Sequence, residues 1–258
     1  MNQSQIKIGT SSWGSKIGID EAVNLGNKIT NININHFDTA PNYGSGYSHY
    51  ALNNLAKKKN ILIDTKYGQN IQLSFKEFSK RIYRFKNLKS FRQSFKYIRF
   101  NNNERIYEKY WNINKIEKDF NSIHIDLNNC KIKSLYLHSP PYGILNNKYL
   151  EEFTSFFSKK EILPGISEPN ENDLMLIIEK FPKINLQLSL DTFWLYRKDL
   201  IYNMENITLN GVFKKLNNDK IIKKNVDLEF WNEFLDILKK KNNYNIVLGI
   251  NSNNSIEK

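Results

Sequence analysis

A single cysteine, Cys130, stands among 258 residues, so no intramolecular disulfide can form, which fits a reducing, cytoplasmic compartment. Only four histidines are present, and they are scattered, which with one cysteine leaves no zinc constellation of workable spacing. No apolar run approaches the roughly 18 residues of a membrane helix. Met1–Gln5 have neither the basic start nor the apolar stretch of a secretory leader. Missing as well are a Gly-x-x-x-x-Gly-Lys-Ser/Thr loop and a Gly-x-Gly-x-x-Gly after a strand, which excludes two common phosphate cradles. Acidic residues are scarce, 26 Asp and Glu against 38 Lys and Arg, a net charge of +12. Such a surplus suggests a nucleic-acid partner, but Lys, Asn and Ile recur along the whole chain. The favoured reading is a solvated basic surface, with attraction to an acidic ligand as the alternative. Neither a nucleic acid nor a membrane is expected as partner.

What is present is an alternation. Apolar runs that suit strands are Ile6–Ser11, Ile34–Thr39, Asn60–Thr65, Lys133–His138, Leu163–Ser167, Ile184–Leu188, Ile207–Gly211 and Asn245–Gly249. Amphipathic stretches lie between most of them: Asp20–Lys28, Ser48–Lys58, Lys115–Leu127, Lys148–Ser158, Glu171–Lys180 and Leu228–Lys240. Asn170 and Asp227 are candidate N-caps for the last two. Alternating strands and helices imply parallel strands joined by crossovers. Eight strands in a chain near the usual length of about 250 residues favour a closed (β/α)8 TIM barrel, an α/β fold, over an open doubly wound sheet. With no repeat or low-complexity linker, residues 1–258 form a single domain in this reading.

One segment breaks the rhythm. Gly68–Asn114 follows the third strand and far exceeds the usual βα loop of about 2–6 residues. Its middle, Ser74–Phe100, mixes basic and aromatic residues at spacings that suit an amphipathic helix. Loops after barrel strands surround the active-site mouth. The insertion could therefore be a basic wall for an acidic substrate, or a helical pair packed on the rim.

Three apolar runs lead into ionisable residues: Ile34-Asn35-His36-Phe37 into Asp38, Ile61-Leu62-Ile63-Asp64-Thr65 into Lys66, and Leu135-Tyr136-Leu137 into His138. Barrel enzymes place their chemistry at such strand ends. Singly each has a plainer explanation: a turn at Asp38-Thr39-Ala40-Pro41, a solvated Lys66, a structural His138. Jointly they would face one cavity. His124, inside a helical run, fits a surface or packing role. Asp191, at the end of the sixth strand, could be one acid of a glycosidase pair, but no partner acid stands in a comparable motif.

The string His36-Phe37-Asp38-Thr39-Ala40-Pro41-Asn42-Tyr43-Gly44 resembles the aldo-keto reductase signature. Asp64-Thr65-Lys66-Tyr67-Gly68, Leu137-His138-Ser139-Pro140, the opening Ile8-Gly9-Thr10 and the later Gly165-Ile166-Ser167 and Leu186-Gln187 are similar to further landmarks of that family, in order. The resemblance implies NAD(P)H-dependent reduction of a small carbonyl. It makes Asp38, Tyr43, Lys66 and His138 the catalytic group, with Tyr43 as general acid and Lys66 lowering its pKa. It assigns the cofactor to Gly9, Thr10, Asp38, Ser167, Glu168, Gln187, Asn210, Gly211, Val212, Phe213, Gly249, Asn251 and Ser252, and the substrate to Trp13 and Trp111.

The cofactor side departs from the family pattern. Glu168 replaces an asparagine that bonds the nicotinamide amide, and Asn251 replaces a basic residue that often grips the extra phosphate of NADP. The resemblance favours NADP, and these departures leave NAD open. The chain stops where the family's last helix begins, so that helix is expected to be truncated. Gly211-Val212-Phe213 resembles relatives in surface-polysaccharide synthesis, which points toward a sugar-derived carbonyl. The alternatives are a catalytically weak nucleotide-binding or regulatory relative, and a barrel that binds a polyanion through its insertion.

Overall fold

A computed structural model describes residues 5–68, 71–72, 98–99, 111–196, 199–200, 203–211, 228–241 and 243–250. In chain order the elements are β1 (Ile6–Gly9), α1 (Ile19–Asn31), β2 (His36–Asp38), α2 (Tyr47–Ala56), β3 (Leu62–Tyr67), α3 (Ile113–Asp126), β4 (Lys131–His138) and α4 (Asn147–Ser158). They continue with β5 (Leu163–Ser167), α5 (Glu171–Lys180), β6 (Asn185–Ser189), α6 (Leu190–Leu195), β7 (Ile207–Asn210), α7 (Leu228–Lys240) and β8 (Tyr244–Gly249). Each strand pairs in parallel with the next. β8 returns to β1 from Ile6–Ile246 to Gly9–Gly249, which closes the barrel and removes the doubly wound alternative. The short segments Ile71–Gln72 and Ile98–Arg99 make a separate parallel pair. Most of the basic aromatic stretch expected to be helical lies outside the described residues, as does the chain beyond Ile250.

The two-residue period of a strand sorts side chains between two environments. One set, including Ile8, Phe37, Ile63, Leu135, Ile166, Leu186 and Leu209, is fully buried with the inner faces of the helices. Helix α1 supplies Ile19, Ala22, Leu25, Gly26 and Ile29, a stripe at i, i+3, i+6, i+7 and i+10 that faces this layer. Each fully buried aliphatic side chain there contributes about 1.5–3 kcal/mol. The other set points into the barrel, and here it is polar: Lys7, His36, Asp38, Asp64, Lys66, Gln187 and Thr208 are all buried. Branched aliphatic residues are the usual filling of such barrels.

The asparagine-rich composition has a local use. Asn112, Asn146 and Asn170 cap α3, α4 and α5 by accepting from the backbone N–H of Asn114, Tyr149 and Asp173, each cap being worth about 1 kcal/mol. Asp227, the other candidate cap, lies outside the described residues. The strand expected to reach Asp191 ends at Ser189, whose side chain caps α6. Asp191 is therefore an exposed acid in the first turn of a helix, not a carboxylate aimed into the barrel.

Candidate active site

Asp38 closes β2, Lys66 sits next to last in β3 and His138 closes β4. The parallel strands bring all three to one end of the barrel. Lys66 is almost fully buried, and its Nζ donates to Asp38 Oδ1 at 2.6 Å and to the Thr39 carbonyl at 3.2 Å. Gln187 Nε2 donates to the same Asp38 oxygen at 2.8 Å. The Lys66 ammonium lies 5.3 Å from the centroid of the Tyr43 ring. The Tyr43 and His138 rings stand 6.2 Å apart and nearly perpendicular, at 85°. The four side chains assembled from separate motifs are thus neighbours in space.

Tyr43 is placed by the turn that follows β2. Its N–H donates to the Ala40 carbonyl at 3.0 Å and opens a short 3-10 turn, Tyr43–Gly46, that leads into α2. Gly44 has φ +54°, and a Cβ there would fall 2.0 Å from the Trp13 carbonyl oxygen. Only glycine allows both the left-handed backbone and that approach. Ser48 Oγ fastens the turn to the loop after β1, donating to the carbonyls of Thr10 at 2.8 Å and Trp13 at 3.0 Å.

Trp13 itself has no exposed surface. Its ring stands edge-on to Phe37 at 5.8 Å and against Gly26 of α1. It is buried in the layer between barrel and helices. The chain has already left the barrel end at this point and is heading for α1. Trp111 packs on Gly68, just past the end of β3, with its ring edge-on to Tyr67 at 5.9 Å.

Electrostatics set the protonation of the group. Burial pushes the Tyr43 phenol above its ordinary value, and the Lys66 charge and hydrogen bond pull it back only in part. The Lys66 influence has the sign expected from the sequence, but the net direction is the opposite, because desolvation disfavours the phenolate more strongly. Lys66 loses by burial and gains more from Asp38 and Tyr43, so it stays protonated. Burial and then the Lys66 charge depress His138 to about 3, which keeps its imidazole neutral at physiological pH. His49 of α2, 3.3 Å from Thr65 Oγ1, is depressed to about 3 by the same two causes.

Two residues after strand ends carry left-handed backbone, Ser139 with φ 48° and Glu168 with φ 52°. They are adjacent in the fold: Ser139 N–H donates to the Ser167 carbonyl at 2.7 Å, and Glu168 N–H to the Gln187 carbonyl at 2.9 Å. Strained non-glycine backbone of this kind concentrates at functional sites. Glu168 Oε1 accepts from Asn210 Nδ2 at 2.9 Å, and burial raises the carboxyl above its ordinary range. Gly9 and Gly249 are register partners at the ends of β1 and β8. The Thr10 hydroxyl donates to the Asp38 carbonyl at 3.1 Å. Gly211 has φ 67°. Val212, Phe213, Asn251 and Ser252 lie outside the described residues.

The residues on this side suit a nicotinamide. Gln187 Oε1 is buried with no hydrogen-bond partner, an acceptor that the NH2 of a carboxamide would satisfy, and Ser167 is buried on the adjacent strand in register with it. Glu168 is the exception, an acceptor where an amide would offer both a donor and an acceptor.

Sequence reasoning missed a second cluster deeper in the barrel. Lys7 Nζ donates to Asp64 Oδ2 at 2.6 Å and to Thr208 Oγ1 at 2.9 Å. His36 Nε2 lies 2.9 Å from the other Asp64 oxygen, although the angle does not make a hydrogen bond. The signal was available: Lys7 interrupts the apolar run Ile6-Lys7-Ile8, and His36 and Asp64 precede Asp38 and Lys66 by one strand period.

The remaining candidates are peripheral. His124 is exposed on α3 with its ring 6.2 Å from Phe120. Burial pushes the Cys130 thiol up to about 12, which makes it a poor nucleophile. Among the described residues no group of three or more His, Cys, Asp or Glu could hold a metal, and no helix is long and apolar enough to cross a membrane.

Residues 5–159 match the aldo/keto reductase family. No curated protein matches the chain. Solved structures share the fold at low identity. A thermostable aldo-keto reductase in complex with the inhibitor epalrestat is 13% identical with a TM-score of 0.65, over 100% of this chain and 88% of that one. An aldo-keto reductase from Bacillus halodurans in its holo form is 13% identical with a TM-score of 0.65, over 98% and 84%. An aldo/keto reductase from Klebsiella pneumoniae, in complex with NADP and acetate, is 9% identical with a TM-score of 0.60, over 98% and 83%.

Proposed function

Because the chain belongs to the aldo/keto reductase family, oxidoreductases that use NAD(P)H on small carbonyl compounds, we propose that it reduces an aldehyde or ketone to an alcohol among Asp38, Tyr43, Lys66 and His138. The observation that carries this reading is the position of one ammonium. Lys66 Nζ is held 2.6 Å from Asp38 and stands beside the Tyr43 ring.

The cofactor, when bound, supplies the hydride that forms the new C–H bond. Tyr43 Oη gives its proton to the carbonyl oxygen as negative charge develops there. A phenol raised by burial arrives protonated, as an acid must, and the Lys66 ammonium stabilises the phenolate it leaves. Asp38 and Gln187 hold Lys66 and its counter-charge in place. Neutral His138 donates one N–H to the same carbonyl oxygen and fixes its direction. Proton donation of this kind is worth about 10²–10⁴ in rate.

The substrate class we propose is a sugar-derived carbonyl, with an acidic substrate as an extension if the basic insertion reaches the mouth. NADP is the proposed cofactor by family, with NAD the alternative that Asn251 keeps open. We place the reaction in the cytoplasm, on one domain spanning residues 1–258. The test is absorbance at 340 nm with NADPH or NADH and a panel of aldehydes, ketones and keto-sugars. Turnover that Tyr43→Phe abolishes supports the reading. Cofactor binding with no turnover, the same in wild type and Tyr43→Phe, would replace it with a nucleotide-binding role.

A further inference from the structure

Among the described residues, two lysine–aspartate pairs are buried inside the barrel, and the proposed reaction uses one of them. Asp38 and Asp64 are register partners on β2 and β3, so two carboxylates stand side by side in a space shielded from water. Each has its own ammonium at 2.6 Å: Lys66 for Asp38, Lys7 for Asp64. Lys66 lies two residues beyond Asp64 on the same face of the same strand. Its flexible four-carbon stem makes either carboxylate a conceivable partner.

The other groups around Asp64 do not remove that competition. His36 from β2 faces its second oxygen. Tyr136 from β4 brings a phenol that burial keeps above its ordinary value, hence neutral. Thr208 from β7 accepts from Lys7 at 2.9 Å and contacts the Tyr136 hydroxyl at 3.5 Å. Gly165 of β5 makes room for the Tyr136 ring, because a Cβ there would fall 2.4 Å from it. Lys7 is thus the ammonium in direct contact with Asp64, and the more distant Asp38 acts on it less strongly.

We propose that Lys7 is a positioning residue for the reaction: by neutralising Asp64 it leaves Asp38 as the one carboxylate drawing on Lys66, and so keeps the Lys66 ammonium beside Tyr43. Without Lys7, a buried carboxylate lacks its counter-charge, and Lys66 is pulled down the barrel toward it. The acid then loses the charge that stabilises its phenolate, although no group touching substrate has changed. This inference rests on the roles given to Tyr43 and Lys66 above.

Two variants test it, Lys7→Met and the charge-balanced Lys7→Met/Asp64→Asn. In a crystal structure of Lys7→Met, Lys66 Nζ should leave Asp38 for hydrogen-bond reach of Asp64. With NADPH and 4-nitrobenzaldehyde as probe, kcat should fall about tenfold while KM stays within about twofold. The double variant should return Lys66 to Asp38 and bring kcat within about threefold of wild type, which a merely structural role for Lys7 would not do. Lys66 remaining on Asp38 in Lys7→Met, because His36 or a proton neutralises Asp64, overturns the proposal. So does a double variant as impaired as the single. If Lys7→Met does not fold, the double variant decides by the same two readouts. A wild type that reduces no carbonyl would defeat the proposed function, while the crystallographic comparison would still report whether Lys7 governs Lys66.

Discussion

The two sides of the barrel mouth are built on different principles. On the β2–β4 side, charge does the assembling: Lys66 and Asp38 pair at 2.6 Å, the Tyr43 ring stands beside the ammonium and the His138 ring beside Tyr43. On the β5–β8 side, neutral amides and backbone do it: Gln187 keeps an acceptor without a partner, and Glu168 leans on Asn210 from a left-handed backbone. The first side carries the motifs whose resemblance to the family is most complete, and the second carries the departures noted in the sequence. Proton-transfer geometry tolerates little change, since a group displaced by an ångström loses most of its effect. Recognition of a cofactor is spread over many contacts and can be redistributed.

That contrast can be broken most forcefully at Tyr43, the acid proposed above. Tyr43→Phe should lower kcat by about 10²–10⁴ and leave the dissociation constant for NADPH, read by fluorescence titration, unchanged. A comparable loss of cofactor affinity would mean that the two sides are not separable. Next in size is Lys66→Met, which strands the buried Asp38 charge and should cost about 3–5 kcal/mol of stability by denaturant unfolding. Asn210→Ala, across the mouth, should cost about 1 kcal/mol by the same measurement.

Acid should then find the β2–β4 side first. His138 and His49 have folded pKa values of about 3, below the ordinary 6.5 of an unfolded histidine. The unfolded chain therefore takes up protons that the folded one refuses. Stability from this source is complete above about pH 6.5 and falls as pH drops toward 3, by about 2.7 kcal/mol per pH unit for the two together. The slope should be halved in His138→Gln. Over the same range kcat/KM should show no His138 titration, because the imidazole stays neutral throughout.

A gain, where the others are losses, sharpens the contrast from the other side. Asparagine adopts the left-handed backbone of position 168 more readily than glutamate. Glu168→Asn should stabilise the fold by about 1 kcal/mol and tighten nicotinamide cofactor binding about tenfold, the worth of one added hydrogen bond. Weaker binding would show that the carboxylate itself recognises the ligand.

Much of this site was legible without coordinates, for identifiable reasons. Asp38, Lys66 and His138 end apolar runs, and a parallel barrel sends all strand ends to the same place. The expected strand Asn60–Thr65 slides to Leu62–Tyr67, which leaves Lys66 inside the ladder without changing the face it presents. Lys7 was overlooked because its partner lies two strands away, across β2, and only the curvature of the barrel brings the two side chains together inside it. The net pKa direction at Tyr43 was out of reach, since it depends on how far burial outweighs one charge.

The Gly44 contact with the Trp13 carbonyl gives the outer helices a hand on the chemistry. Trp13 rests on Gly26 of α1, where an added methyl would sit 3.3 Å from its ring and 2.6 Å from Leu55. A change on the solvent-distant face of α1 would thus pass through the indole to the turn that carries Tyr43. The position of the Tyr43 turn is therefore linked to packing in the outer layer of the fold.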